Sequence, residues 1–161
     1  MNYNNLTIKS QEALQQAFTI AAANNNQSVE NGHLLKSIQE NAGDLLSFVF
    51  GKAGINLNSV IMVVDRIISS YPKVTGGDAY LSNAATRTFT KAELVAKSMG
   101  DDYVSIEHLL MGMIAASDDV AQVLKDNGLT EKSLKKISLE VFYLQHQKGS
   151  RMKIYVQHKE Y

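Results

Sequence analysis

The chain has 161 residues, sixteen basic side chains balanced by sixteen acidic ones, no cysteine and a single proline. A formal net charge of zero leaves no global field to draw it onto nucleic acid or an anionic membrane, and the absence of Cys excludes disulfides, thiolate chemistry and Cys-ligated zinc together. The start Met1-Asn2-Tyr3-Asn4-Asn5 has no basic segment leading into an apolar one, and no apolar stretch reaches the roughly 20 residues needed to span a bilayer, so the expectation is one soluble, cytoplasmic domain.

Apolar residues recur at intervals of three and four almost throughout, which predicts an all-α chain. Thr7 caps a first helix with the inward stripe Ala13, Leu14, Ala17, Phe18 and Ala21, ending at Asn24-Asn25-Asn26. A second helix begins near Asn31 and carries Leu34, Leu35 and Ile38. A short third holds Leu45, Leu46, Phe48 and Val49 and stops near Gly54. Asn58 or Ser59 opens a fourth, with Val60, Val63, Val64, Ile67 and Ile68. Tyr71-Pro72-Lys73-Val74-Thr75-Gly76-Gly77-Asp78 then breaks the pattern as a connector. Ser82 caps a fifth helix with Ala85, Phe89, Ala92, Val95, Ala96 and Met99, ended by Gly100. Ser105 caps the sixth, with Glu107 in its first turn, where the helix dipole favours a carboxylate. A seventh holds Val120, Val123 and Leu124 and runs to Gly128. Thr130 starts the eighth, with Leu134, Ile137 and Val141.

These eight helices are two copies of one unit. Residues 6–38 advanced by 75 positions fall without a gap on residues 81–113: Leu6-Thr7 on Leu81-Ser82, Val29 on Val104, His33-Leu34-Leu35 on His108-Leu109-Leu110. A repeat this long exceeds the roughly 20 to 50 residues of a solenoid unit and predicts two packed helical modules with a groove between them. The matched Ala stripes predict close approach of neighbouring helices. The expected organisation is a domain over 1–145, with repeat one at about 6–70, a connector at 71–80 and repeat two at about 81–145, followed by a linker-like tail at 146–161.

Leu6-Thr7-Ile8-Lys9-Ser10-Gln11-Glu12-Ala13-Leu14, His33-Leu34-Leu35, Gly54-Ile55 and the run from Gly100 to Leu110 closely resemble the Clp repeat domain at the amino terminus of the Clp family of ATPase chaperones. The connector Tyr71-Pro72-Lys73-Val74 with Gly76-Gly77 looks more like the ClpB disaggregase branch than ClpA or ClpC. The resemblance covers residues 1 to about 140 and implies eight helices in two pseudo-twofold-related four-helix halves. It also implies a role in capturing misfolded or aggregated polypeptide for a hexameric ATPase ring or, in the alternative branches, in docking an adaptor. Carried over onto matching positions, it implies a substrate-engaging surface at Thr7, Asp101 and Glu107 beside an apolar groove at Phe89, Val95 and His108. The sequence departs from the family pattern at Phe89, where an aliphatic residue is frequent. It departs again at Glu30-Asn31-Gly32-His33, which lacks the carboxylate that Glu107 places before His108.

No G-x-x-x-x-G-K-[ST] phosphate loop occurs; Gly51-Lys52-Ala53-Gly54 has neither the spacing nor the hydroxyl, so neither catalysis nor a nucleotide cofactor is expected of this chain. His33 and His108 lack an H-x-x-x-H partner, and the favoured reading is packing at a helix start rather than metal binding. Asp101-Asp102 and Asp118-Asp119 are read as capping pairs. A minor reading, a hydrolase, requires a His and a carboxylate within hydrogen-bond reach in a concave pocket. Met62, Met99, Met111, Met113 and Met152 are read mainly as core. In the tail, Lys148, Arg151, Lys153 and Lys159 with Tyr143, Tyr155 and Tyr161 are too few for a nucleic-acid site, and a short strand at Lys153 to Gln157 is an option. The isolated domain is expected to be a monomer without metal.

Overall fold

The structure is a computed structural model and describes residues 3–74 and 76–146, with side chains up to 141. Eight helices follow a single 3-10 turn at Tyr3–Asn5: α1 (Ile8–Ala23), α2 (Asn31–Asn41), α3 (Gly43–Lys52), α4 (Leu57–Ser70), α5 (Asn83–Ser98), α6 (Ile106–Ile114), α7 (Asp119–Asp126) and α8 (Glu131–His146). The tail readings at Lys148 and beyond, the candidate strand included, lie outside the described residues.

Most predicted boundaries coincide with observed caps. The Thr7 hydroxyl oxygen accepts the Ser10 N–H at 3.1 Å, and Ser82 accepts that of Ala85 at 3.0 Å. Each satisfies a donor that a helix start leaves orphaned. Helix α1 ends with Asn25 in the left-handed region (φ +55°), and α5 ends with Gly100 there (φ +74°), the same position 75 residues on. One start is corrected: α4 is capped by Asn56, whose side chain accepts the Ser59 N–H at 3.1 Å, two residues ahead of the expected Asn58.

The packing shows how the two units combine. Within each unit the first two helices pair, α1 with α2 and α5 with α6. Between units, α1 meets α6 as α5 meets α2, and α3 meets α8 as α7 meets α4. Each of these helix contacts occurs twice with the roles exchanged, as a twofold arrangement requires. The Ala stripes are buried, and α6 crosses α5 so closely that a Cβ on Gly112 would collide with the Thr88 carbonyl. One continuous core runs through both units, from Leu6 to Val141.

A feature absent from the helix-only expectation is a pair of exchanged arms. The two-residue strand β1 (Ser28–Val29) pairs in parallel with β2 (Tyr80–Leu81), Val29 opposite Leu81, and Leu6 forms an isolated parallel bridge with Val104. The segment leading into each unit is thereby bonded to the other unit, just ahead of its second helix. The Ser82 N–H donates to the Val29 carbonyl at 3.0 Å, and the Thr7 N–H to the Val104 carbonyl at 3.0 Å. A polar clasp adds to the seam: Thr88 donates to the Asn31 side-chain oxygen at 2.8 Å, and the Asn31 amide donates to Asp118 at 2.8 Å.

Candidate functional site

Both histidines sit at the third position of their helix and act on the helix start. His33 Nδ1 accepts the Glu30 backbone N–H at 2.9 Å, and His108 Nδ1 accepts that of Ser105 at 2.9 Å. An Nδ1 that accepts carries no proton, so the proton of each neutral ring is on Nε2. That Nε2–H donates to the Asn26 side-chain oxygen at 2.9 Å in the first half and to the Asp101 carboxylate at 2.9 Å in the second. The packed, locally bonded reading of both histidines therefore holds. Burial pushes His33 from its ordinary 6.5 down to about 4, because a neutral amide beside it gives an imidazolium nothing to pair with. The Tyr71 phenol, tilted against the His33 ring at 5.0 Å, is raised above its ordinary range by burial first and by Glu30 next. It is admitted there because Gly32 has no Cβ to meet its oxygen.

Apart from Thr7, the residues that the sequence singles out lie in the second half. Thr7 caps α1 and is bridged to Val104; Asp101 and His108 are bonded on either side of that strand; Ser105 is within 3.3 Å of the Glu107 carboxylate. Phe89 and Val95 lie on α5, both buried. Thr7, Asp101, Glu107 and His108 are thus drawn around the Leu6–Val104 bridge, although Thr7 is about a hundred residues from the others.

Exposure does not follow the expectation. Phe89 is only 1% exposed, and Val95, His108, Thr7 and Glu107 are likewise buried; of the six residues, Asp101 alone presents an edge to solvent, its side chain 30% exposed. The open groove lined by Phe89, Val95 and His108 is therefore not a surface of this conformation, because Phe89 and Val95 belong to the same core as Leu109 and Leu110 and His108 is buried as well. Part of the cover is Tyr3, whose ring stands edge-on to that of Phe89, with centroids 6.1 Å apart and planes at 76°. Helical spacing could not reveal it, since Tyr3 lies in a polar run outside any predicted helix. The large apolar side chains left exposed include Tyr3, Ile8 and Leu94.

The acidic pairs divide. Asp118 caps α7, accepting the Ala121 N–H at 2.9 Å, as expected. Asp101 is not a cap, because Ser105 is the cap of α6, and it holds the His108 ring instead. The Ser105 hydroxyl lies 3.0 Å from His108 Nδ1, which assembles a serine, a histidine and an aspartate. That Nδ1 already accepts a backbone N–H, and Ser105 and His108 are both buried, so no carbonyl substrate has access to the hydroxyl. The trio is a helix-start clamp. Among the described residues no three His, Asp or Glu side chains are grouped as metal ligands, and no single helix is long and apolar enough to cross a membrane.

Comparison with known proteins places this architecture. The family model described as the Clp repeat (R) N-terminal domain matches residues 5–127. Chaperone protein ClpB of Bacteroides thetaiotaomicron is 42% identical over 135 residues, which cover 84% of this chain and 16% of that protein. The Hsp104 N-terminal domain from Candida albicans superposes with a TM-score of 0.73 at 18% identity, covering 85% of this chain and 91% of that one. A ClpV N-domain, solved in complex with a VipB peptide, superposes with a TM-score of 0.67 at 17% identity, covering 83% and 84%.

Proposed function

The chain belongs to the Clp repeat N-terminal domain family, and from that premise we propose that it recruits exposed apolar segments of misfolded or aggregated polypeptide for the ATPase ring of a ClpB-like disaggregase. The observation that carries this reading is the 42% identity to a ClpB over 84% of the chain. The chain spans about one-sixth of that relative's length, so the ring and its ATP chemistry belong to the proposal.

In this reading the recruiting surface is the junction around the Leu6–Val104 bridge. Asp101, which also holds His108, is its polar edge and meets Lys or Arg of a client on the side that solvent reaches. Thr7, Glu107 and His108 are positioning residues that hold α1, α6 and Asp101 in register. Phe89 and Val95 form the apolar floor, which is covered in this conformation. Binding is weak, because a surface that accepts many sequences complements none of them closely, and several copies on one ring restore the strength through avidity.

The test is an amide NMR titration with reduced, carboxymethylated lactalbumin as the unfolded client. Fast-exchange shifts centred on Thr7, Asp101 and Glu107 are expected, and silence there refutes the reading. A second reading, docking of a folded adaptor or a defined peptide, is favoured by the neighbour that is a ClpV N-domain bound to a VipB peptide. It calls for one saturating partner of fixed stoichiometry instead.

A further inference from the structure

We infer that the Tyr3–Asn5 turn is a built-in occupant of the recruiting site, and that an extended client segment bearing an aromatic side chain binds by displacing Tyr3 from Phe89. This rests on the reading that the junction around Val104 recruits unfolded polypeptide.

The first support is how the arm is held. The Val104 N–H donates to the Asn5 carbonyl at 2.7 Å and the Val104 carbonyl accepts the Thr7 N–H at 3.0 Å, so an extended backbone is bonded along Val104. Two residues before Asn5, an aromatic ring stands edge-on to Phe89. Backbone pairing plus one apolar side chain on an apolar floor is how strand addition captures an unfolded segment. The arm already makes both contacts.

The second support is how little restrains the ring. No residue of the Tyr3–Asn5 turn is buried, Tyr3 itself is 42% exposed, and the turn is closed by the Leu6 N–H on the Tyr3 carbonyl at a long 3.2 Å. Leu6 and Thr7, by contrast, are buried, and Thr7 caps α1. A segment with so few buried contacts opens locally at low cost, and the opening stops at Leu6.

The third support is the other half. Seventy-five residues away, the position of Phe89 is taken by Leu14 and that of Tyr3 by Asp78, so no aromatic pair exists there. The pair is peculiar to the half that holds Asp101, Glu107 and the apolar floor. When Tyr3 leaves, the Phe89 edge it faced becomes available to a client ring of the same kind.

The experiment measures fluorescence anisotropy of a labelled peptide about a dozen residues long, two of them Phe in a Ser and Lys background, against the chain and Tyr3→Ala. The variant is expected to bind about three- to tenfold more tightly, the strength of one aromatic pair expressed as affinity. The Phe89 and Val104 amides shift in both proteins. Equal or weaker binding by Tyr3→Ala, with the unaltered chain still binding, overturns the displacement and leaves the recruiting role standing. No binding by either, nor by a chain lacking residues 1–4, overturns both. A thermal melt confirms that Tyr3→Ala, a change at a half-exposed position, keeps the fold.

Discussion

At the head of α2 the ring of His33 donates to the amide oxygen of Asn26, while at the head of α6 the ring of His108 donates to the carboxylate of Asp101. The frame is otherwise the same in both halves: the same helix position, the same backbone N–H on Nδ1, the same distance to the partner. The first half keeps its histidine neutral and its polar atoms satisfied internally, with Gly32 admitting Tyr71 where the second half has Glu107. In the second half the partner is a carboxylate that reaches solvent. A duplicated scaffold thus carries two different partners at one matched histidine position, an internal amide in one copy and a solvent-reaching carboxylate in the other.

A second pair of matched positions offers the harshest way to break this equivalence. Ser37 and Gly112 correspond, and each faces the same carbonyl of the preceding helix: Ser37 donates to the Ala13 carbonyl at 2.5 Å, while at Gly112 the equivalent Thr88 carbonyl is too close for any Cβ. Transplanting the first half's residue, Gly112→Ser, forces α6 off α5. A loss of about 3 kcal/mol in urea unfolding is expected, at the upper end of overpacking costs. A loss below about 1 kcal/mol refutes the close crossing.

The histidines give the next effect. His33 titrates near 4 when folded and near 6.5 when unfolded, so the unfolded chain binds the extra proton in between. Stability contributed by neutral His33 is complete above about 6.5 and is lost as pH falls from there toward 4. Asn26→Asp gives His33 the carboxylate that His108 has; its titration, followed by NMR, rises well above 4, and the decline in urea midpoint between those two pH values flattens. An unchanged His33 titration in Asn26→Asp would show that the partner is not what separates the halves.

The smallest effect sharpens the likeness instead. Thr7→Ala and Ser82→Ala remove corresponding caps and are each expected to cost about 1 kcal/mol by chemical denaturation. Only Thr7→Ala is expected to weaken capture of unfolded polypeptide, since Thr7 stands on the Leu6–Val104 bridge and Ser82 on the Val29–Leu81 pairing. Equal losses of capture would move the recruiting surface away from the Leu6–Val104 bridge.

Helix number, caps and the duplicated plan were legible in the residues because each rests on local chemistry: an oxygen before an apolar period, a Gly or Asn after it. The exchanged arms were not, because two paired residues have no alternation to detect. Their trace was nonetheless present, since Leu6 with Leu81 and Val29 with Val104 repeat at the same spacing just outside the helices. Within the candidate site, the grouping of Thr7 with Asp101, Glu107 and His108 came from the family resemblance, since the Leu6–Val104 bridge that gathers them has no periodic sequence signal, and their exposure came from neither. A period of 3.6 says which side of α5 is apolar and is silent on whether a distant arm covers it, as Tyr3 helps to do for Phe89.

The exchange of arms also sets an order of events when the chain is made. Val29 can take Leu81 only after about 50 further residues exist, and Leu6 must wait for Val104, about a hundred residues on. At about 5 to 20 residues per second, the arm that caps α1 waits roughly 5 to 20 seconds for its partner after leaving the site of synthesis. For that interval α1 has its hydroxyl cap but no strand to hold its entrance, and the first unit remains incomplete until the second has begun. Of the two units, the entrance to the one made first is therefore secured only after the second is under way.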